Sequence, residues 1–195
     1  MMNKKQLIDF EERVKASYEN GEIKAPIHLS GNNEDELIKI FKNIDNNDWV
    51  FSSWRNHYHA LLHGFNEEKL FSLIKEGRSM SINSIEHKFY SSSIVGGSLP
   101  IALGTAMSIK LKAEKNKVWC FVGDMTYETG VFHECYKYAK NFELPIKFVV
   151  EDNNMSTNTP TDKVWNKKSK IYDDIYFYSY ERKYPHHGTG SWVLF

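Results

Sequence analysis

The 195-residue chain has only two cysteines, no surplus of either charge and no long apolar run. Each scarcity excludes something. Cys120 and Cys135 stand far from any Cys-x-x-Cys spacing, which argues against a disulfide scaffold or a thiolate zinc site; they read as buried structural thiols. Lys plus Arg and Asp plus Glu both number 25, so a general electrostatic grip on nucleic acid or anionic lipid is not expected. A local anion site stays open. No apolar run approaches the roughly 20 residues that span a bilayer. Met1-Met2-Asn3-Lys4-Lys5-Gln6 leads into amphipathic sequence and not into an apolar signal core, which reads as a cytoplasmic chain. What is present is a 41% hydrophobic, 14% aromatic sequence, enough for one core in a single domain over 1–195.

Leu7, Phe10, Val14 and Tyr18 recur at helical spacing, predicting a helix over 4–19 that ends at Asn20-Gly21. Asn33 is expected to cap a second helix, with Glu34, Asp35 and Glu36 in its first turn. Trp49 to Ser52 reads as a strand, 57–62 and 67–75 as helical, and the Ser-rich stretch 77–93 as a long loop. Gly96 to Lys115 reads as a helix of small residues (Gly97, Ala102, Gly104, Ala106) suited to close packing. A continuous apolar run at 118–122 reads as a strand buried on both faces, and 146–150, after a helix over 131–141, as a second buried strand. Lys163, Lys167, Lys168 and Lys170 read as solvated surface. Residues 175–180 read as a last strand, with Tyr172, Tyr176, Phe177, Tyr178 and Tyr180 as sheet core. The β-α-β order predicts an α/β fold, a parallel sheet with helices on both faces and its ligand at the carboxyl ends of the strands.

Two polar clusters fall at such ends, Gly123-Asp124 and Asp152-Asn153-Asn154. Carboxylate and amide oxygens are hard ligands that suit Mg²⁺ or Ca²⁺, and a nearby main-chain carbonyl can add a third. Gly123 is expected to let the chain turn sharply, leaving the N–H groups of Met125 and Thr126 to meet an anion. Together these form a physical recipe for a Mg²⁺-bridged diphosphate. A lone Gly-Asp is equally well a strand-ending turn.

The spacing is more specific. Gly123-Asp124-Met125-Thr126, a helix, Leu144-Pro145 and then Glu151-Asp152-Asn153-Asn154 resemble the thiamine-diphosphate motif, with Asn153 29 positions after Asp124. The likeness is greatest to the α subunits of 2-oxo acid and acetoin dehydrogenases and more distant to the transketolase N-terminal domain. Other stretches carry it in the same order. Pro26 to Gly31 resembles a loop supplying an active-site His, and Phe51 to His59 a segment whose Arg holds diphosphate. Ser93 to Gly97 resembles a run lining the aminopyrimidine, and Tyr180 to Gly188 a loop with a His beside the diphosphate. Met125 replaces the final Gly of Gly-Asp-Gly, so its side chain should point away from the phosphates. The segment between the Asn motif and the last strand is shorter than in relatives.

The resemblance implies thiamine diphosphate and Mg²⁺ as cofactors. Asp124, Asn153 and the Met155 carbonyl would hold the ion, with Asn154 the alternative in a register slid by one residue; Thr159-Pro160 favours Asn153. Arg55, Ser93, Val95, Gly123, Met125, Thr126 and Asn154 would line the cofactor, and His28, His57 and His187 would manage charge and protons near a small-molecule substrate. Of these imidazoles His57 fits the pattern best, because Arg55 precedes it. His59, His63, His87 and His133 read as structural. The implied activity cleaves or forms a carbon–carbon bond next to a carbonyl, as in 2-oxo acid decarboxylation with acyl transfer. Alternatives are a transketolase-like or carboligating enzyme acting on a sugar or small ketone, and a non-catalytic regulatory subunit. The activating glutamate of such enzymes lies in a pyrimidine-binding domain for which 195 residues leave no room, and the contexts of Glu86 and Glu181 do not resemble it. The expectation is a separate β chain and an α₂β₂ assembly, without nucleic acid or membrane.

Overall fold

A computed structural model describes residues 1–166 and 168–194. In chain order the elements are α1 (Lys4–Glu19), α2 (Glu34–Phe41), β1 (Trp49–Ser52), α3 (His57–Leu62), α4 (Glu67–Lys75), β2 (Asn83–Ser84), β3 (Phe89–Ser91) and α5 (Ser98–Leu111). They continue with β4 (Val118–Gly123), α6 (Asp124–Tyr127), α7 (Gly130–Asn141), β5 (Ile146–Asp152), β6 (Met155–Ser156), β7 (Thr159–Pro160), α8 (Thr161–Trp165) and β8 (Tyr176–Ser179). The main sheet runs β2-β3-β1-β4-β5-β8, and all its pairs are parallel except β2–β3. This is the expected α/β architecture.

Side-chain alternation on β4 divides the core. Trp119 and Phe121 face one layer with Leu7, Phe10, Leu37, Phe41 and Leu70 of the first four helices. Val118, Cys120 and Val122 face the other, with Ala102, Ala106, Phe132 and Ala139 of α5 and α7. Each fully buried large apolar side chain contributes about 1.5–3 kcal/mol over its exposed state. A strand covered on both faces has little room for polar side chains, which is why β4 reads as an unbroken apolar run; β5 is interrupted by the exposed Lys147. Both cysteines are buried and free, and burial pushes the Cys120 thiol up to about 12, leaving it unreactive.

Several local expectations change. The 77–93 stretch contains β2 and β3, and β3 pairs with β1 through Val50↔Phe89 to Ser52↔Ser91. Three residues are too few to show a period. Asn33 stands before α2 but makes no capping bond; its amide donates to the Tyr178 hydroxyl at 3.3 Å. Close packing of α5 rests on Ala102 and Ala106, fully buried, and not on Gly104, beside which a Cβ would meet nothing. On β8, an edge strand, only Tyr178 is core; Tyr176 and Phe177 are exposed, as is Tyr172 before it. Among the described residues no helix is long and apolar enough to cross a membrane.

Asp48 ties the sheet together at the end opposite the strand tips. Its buried carboxylate accepts from Lys117 N at 2.7 Å, Trp119 Nε1 at 3.0 Å and Asp45 N at 3.2 Å. Asp48→Ala strands these donors and should cost about 2–4 kcal/mol of folding free energy in urea denaturation. A loss under about 0.5 kcal/mol would show that water replaces the carboxylate freely.

Candidate active site

The β4–β5 ladder pairs Val118↔Ile146 through Gly123↔Glu151, so the two strands end level. The residues just beyond them meet in one cavity of about 560 Å³, open mouth included, whose walls contain Gly123, Asp124, Met125, Thr126, Asn153 and Met155. Arg55, Trp54 and Val95 close it from the β1 side, and Tyr180 and Arg182 from the β8 side.

Asp124 opens α6 and is 4% exposed. Its Oδ2 has no hydrogen-bond partner. Burial, reinforced by the nearby Asp152 carboxylate, pushes its carboxyl above the usual range. A buried carboxylate oxygen without a donor is one that a cation could satisfy. Gly123 has φ −76° and ψ 164°, an extended conformation open to any residue. The expected sharp turn is absent. What glycine provides is space, since a Cβ there would meet no atom within 4 Å. Met125 is among the wall residues, and its Sδ lies 3.2 Å from Trp165 Nε1 on α8, a residue outside that wall.

At the β5 tip, Asn153 Oδ1 accepts from Met155 N at 3.0 Å and Nδ2 donates to the Tyr180 hydroxyl at 3.1 Å. Asn154 takes a positive φ of 56° and faces elsewhere, lining a neighbouring cleft with Asp152, Asp162 and Lys168. Its carbonyl accepts from Thr161 N at 3.1 Å and its Oδ1 from Asp162 N at 3.4 Å. Thus Asn153 shares the cavity with Asp124, and Asn154 does not. Among the described residues no cluster of three His, Cys, Asp or Glu could hold a metal. Asp124, Asn153 and Met155 could offer one carboxylate, one amide and one main-chain carbonyl, a hard oxygen set that would suit Mg²⁺.

Arg55 is 8% exposed. Its Nη1 donates to Leu29 O and its Nη2 to His186 O at 3.4 Å. Asn56 Nδ2, donating to Ser53 O, Trp54 O and Ser79 O, fixes the turn that presents it.

The three nominated histidines separate. His28 is buried and lines a second cavity with Trp54, Ser93, Val95, His186 and His187; Trp54 and Val95 belong to both cavities. His187 is exposed at its rim. His57 is not brought there. It is fully buried, with Nδ1 3.1 Å from Glu11 Oε2 and Nε2 2.8 Å from Ser79 Oγ. Glu11 also accepts Ser30 N at 2.9 Å, so this network props the loop that carries His28.

Six wall residues were not nominated from the sequence: Ser53, Trp54, Glu151, Ser156, Tyr180 and Arg182. Glu151 is buried, accepts from the Tyr178 hydroxyl and lies 3.3 Å from His59 Nε2. Arg182 donates to Thr157 O at 3.0 Å, and burial beside Arg55 lowers its pKa. Two such cations on one cavity suit an anion; Arg182 and Tyr180 lie in the 180–188 stretch of the resemblance, in which only the His was nominated. Glu86 and Glu181 are exposed and lie outside this wall.

Lys168 also departs from its surface reading. Its Nζ lies 2.7 Å from both Asp152 oxygens, Ser169 donates to Glu128 through N at 2.8 Å and Oγ at 2.6 Å, and Tyr127 donates to Lys170 O at 2.7 Å. Residues 168–170 thereby strap α6 to the β5 tip. Lys163 and Lys170 are exposed as expected, and Lys167 lies outside the described residues.

The His28 imidazole falls from its ordinary 6.5 to about 3, chiefly through burial and then through the Arg55 guanidinium. The unfolded chain takes up that proton near pH 6.5 and the folded chain does not. The contribution is therefore complete above pH 6.5 and is lost as the pH falls from about 6.5 toward 3. Urea denaturation should show stability falling more steeply for the native chain than for His28→Gln between pH 6.5 and 4. Parallel curves would contradict the assignment.

Residues 2–174 match the model of the dehydrogenase E1 component family. The chain is 29% identical over 161 residues to the α subunit of acetoin:2,6-dichlorophenolindophenol oxidoreductase of Bacillus subtilis (strain 168), covering 77% of this chain and 48% of that one. It is 32% identical over 162 residues to the pyruvate dehydrogenase E1 component α subunit of Porphyra purpurea, covering 74% and 47%. To the chloroplastic α-3 subunit of Arabidopsis thaliana it is 32% identical over 160 residues, covering 74% and 37%. The chain spans about half the length, or less, of these relatives. The match over most of its residues shows that the chain belongs to the dehydrogenase E1 component family.

Proposed function

We propose that this chain holds the diphosphate arm of thiamine diphosphate through Mg²⁺, as the α subunit of a two-chain enzyme that decarboxylates a 2-oxo acid and passes on the acyl unit. The observation that carries this is the partnerless Asp124 oxygen, buried at a strand tip beside Asn153 and Met155 and opposite Arg55 and Arg182. The names of the relatives, α subunits of pyruvate and acetoin dehydrogenating enzymes, support the reaction class and a β chain as partner. We extend this to an α₂β₂ assembly, with the activating glutamate on the β chain. Two buried free thiols suit a reducing compartment such as the cytoplasm.

Bound thiamine diphosphate would supply the carbanion and electron sink that no side chain provides. The chain's own residues orient and compensate charge. Asp124 contributes a carboxylate oxygen to Mg²⁺, Asn153 its amide oxygen and Met155 its carbonyl. Met125 and Thr126 sit in the first turn of α6, where main-chain N–H groups have no intrahelical acceptor and would be free to meet a phosphate oxygen. Arg55 balances the phosphate charge from the opposite wall. Arg182 adds a second cation. Val95 and Trp54 form the rim between the phosphate cavity and the histidine cavity, and Ser93 lines the second. There His28, neutral at working pH, can donate or accept a hydrogen bond without adding charge, and His187 at the rim can exchange protons with solvent.

The cavity contains Trp54, so ligand entry should quench tryptophan fluorescence. Thiamine diphosphate should quench it only when Mg²⁺ is present, and Asp124→Ala should abolish the Mg²⁺-dependent part. Equal binding by Asp124→Ala would sink the reading. With thiamine diphosphate, Mg²⁺ and 2-oxo acids the purified chain alone should turn nothing over, and robust turnover would remove the need for a β chain.

A further inference from the structure

The Tyr180 main-chain N–H donates to Asp152 O at 2.9 Å, extending the β5–β8 ladder past Ser179 and seating Tyr180 beside the β5 tip. Its hydroxyl lies 3.1 Å from one atom of the Asn153 amide, and the other amide atom lies 3.0 Å from Met155 N. A main-chain N–H can only donate, so the amide atom facing Met155 is the oxygen and the atom facing Tyr180 is the nitrogen. In that bond the phenol oxygen is therefore the acceptor.

A phenol that accepts still has its own hydrogen to give. Among the described residues nothing takes it. The two carboxylates in the same wall, Asp124 and Glu151, form no bond with it, and Glu151 accepts instead from Tyr178. The wall also holds two guanidinium groups, Arg55 and Arg182, and the hydroxyls of Ser53, Thr126 and Ser156, none of which bonds the Tyr180 hydroxyl. An anion drawn in between the two guanidinium groups would give that hydrogen a strong acceptor.

Resting on the reading of this cavity as a metal-diphosphate site, we propose that Tyr180 is a ligand-binding residue. Its hydroxyl donates to a phosphate oxygen while its oxygen anchors the amide of the metal ligand Asn153. One side chain thus contacts the anion and orients a donor of the ion that bridges it. Asn153, which also accepts from Met155 N, keeps a second lone pair on Oδ1 for the metal.

The test is Tyr180→Phe in the full chain, which keeps the ring and removes only the hydroxyl. Tryptophan fluorescence reads thiamine diphosphate binding at saturating Mg²⁺, competition reads inorganic diphosphate, and circular dichroism reads the thermal midpoint. With the midpoint unchanged, both ligands should bind about tenfold more weakly, the loss of one hydrogen bond to a charged group. A purely structural tyrosine would lower the midpoint and leave the affinity of the folded chain unaltered. Affinities within twofold of native, while Asp124→Ala has lost Mg²⁺-dependent binding, overturn the role of Tyr180 and leave the site standing. No Mg²⁺-dependent binding by the native chain overturns the site and this inference with it.

Discussion

The parallel ladder between β4 and β5 is the constraint on which the site depends. Its pairs from Val118↔Ile146 to Gly123↔Glu151 bring the two strands to an end at the same height, so Asp124 and Asn153 face one space although 29 positions separate them. A slip of one residue would send Phe121 to the α5–α7 side and Cys120 to the other, emptying one core and overfilling its neighbour. Hydrophobic packing therefore sets the register, and the register sets the distance between polar tips that contribute nothing to the core.

Holding those tips together is electrostatically costly, because Asp124, Glu151 and Asp152 crowd one end of the sheet. The compensation is specific. Lys168 neutralises Asp152 from outside, the Tyr178 hydroxyl and His59 attend Glu151 from behind, and only Asp124 keeps an oxygen without a partner. The supports form a second tier: Glu11 with His57 under the His28 loop, Asn56 under Arg55, and residues 168–170 across α6 and the β5 tip. A buried carboxylate oxygen left without a donor at a strand tip suits a cation.

Much of this is legible in the chain because burial on both faces leaves an unmistakable pattern. The runs at 118–122 and 146–150 define β4 and β5, and the polar residues that end them mark the tips. Short elements are silent: β3 and α6 have three and four residues and carry no period. Long-range polar pairing is silent too. Lys168 looks like any surface lysine until Asp152 is placed against it, and His57 looks poised beside Arg55 until Glu11 and Ser79 enclose it. Gly123 was readable as a special position but for a different reason, because space for a ligand and freedom to turn leave the same letter. Arg182 and Tyr180 come from the far edge of the sheet, where no fixed spacing connects them to Asp124.

The most direct measurement is an anomalous-scattering map from crystals grown with Mn²⁺ in place of Mg²⁺ and with thiamine diphosphate. The account predicts one strong peak about 2.0–2.3 Å from an Asp124 carboxylate oxygen, Asn153 Oδ1 and the Met155 carbonyl, with phosphate density between it and Arg55. A peak coordinated by Asn154 or by carboxylates elsewhere, or diphosphate bound with no ion between these strand tips, would contradict it.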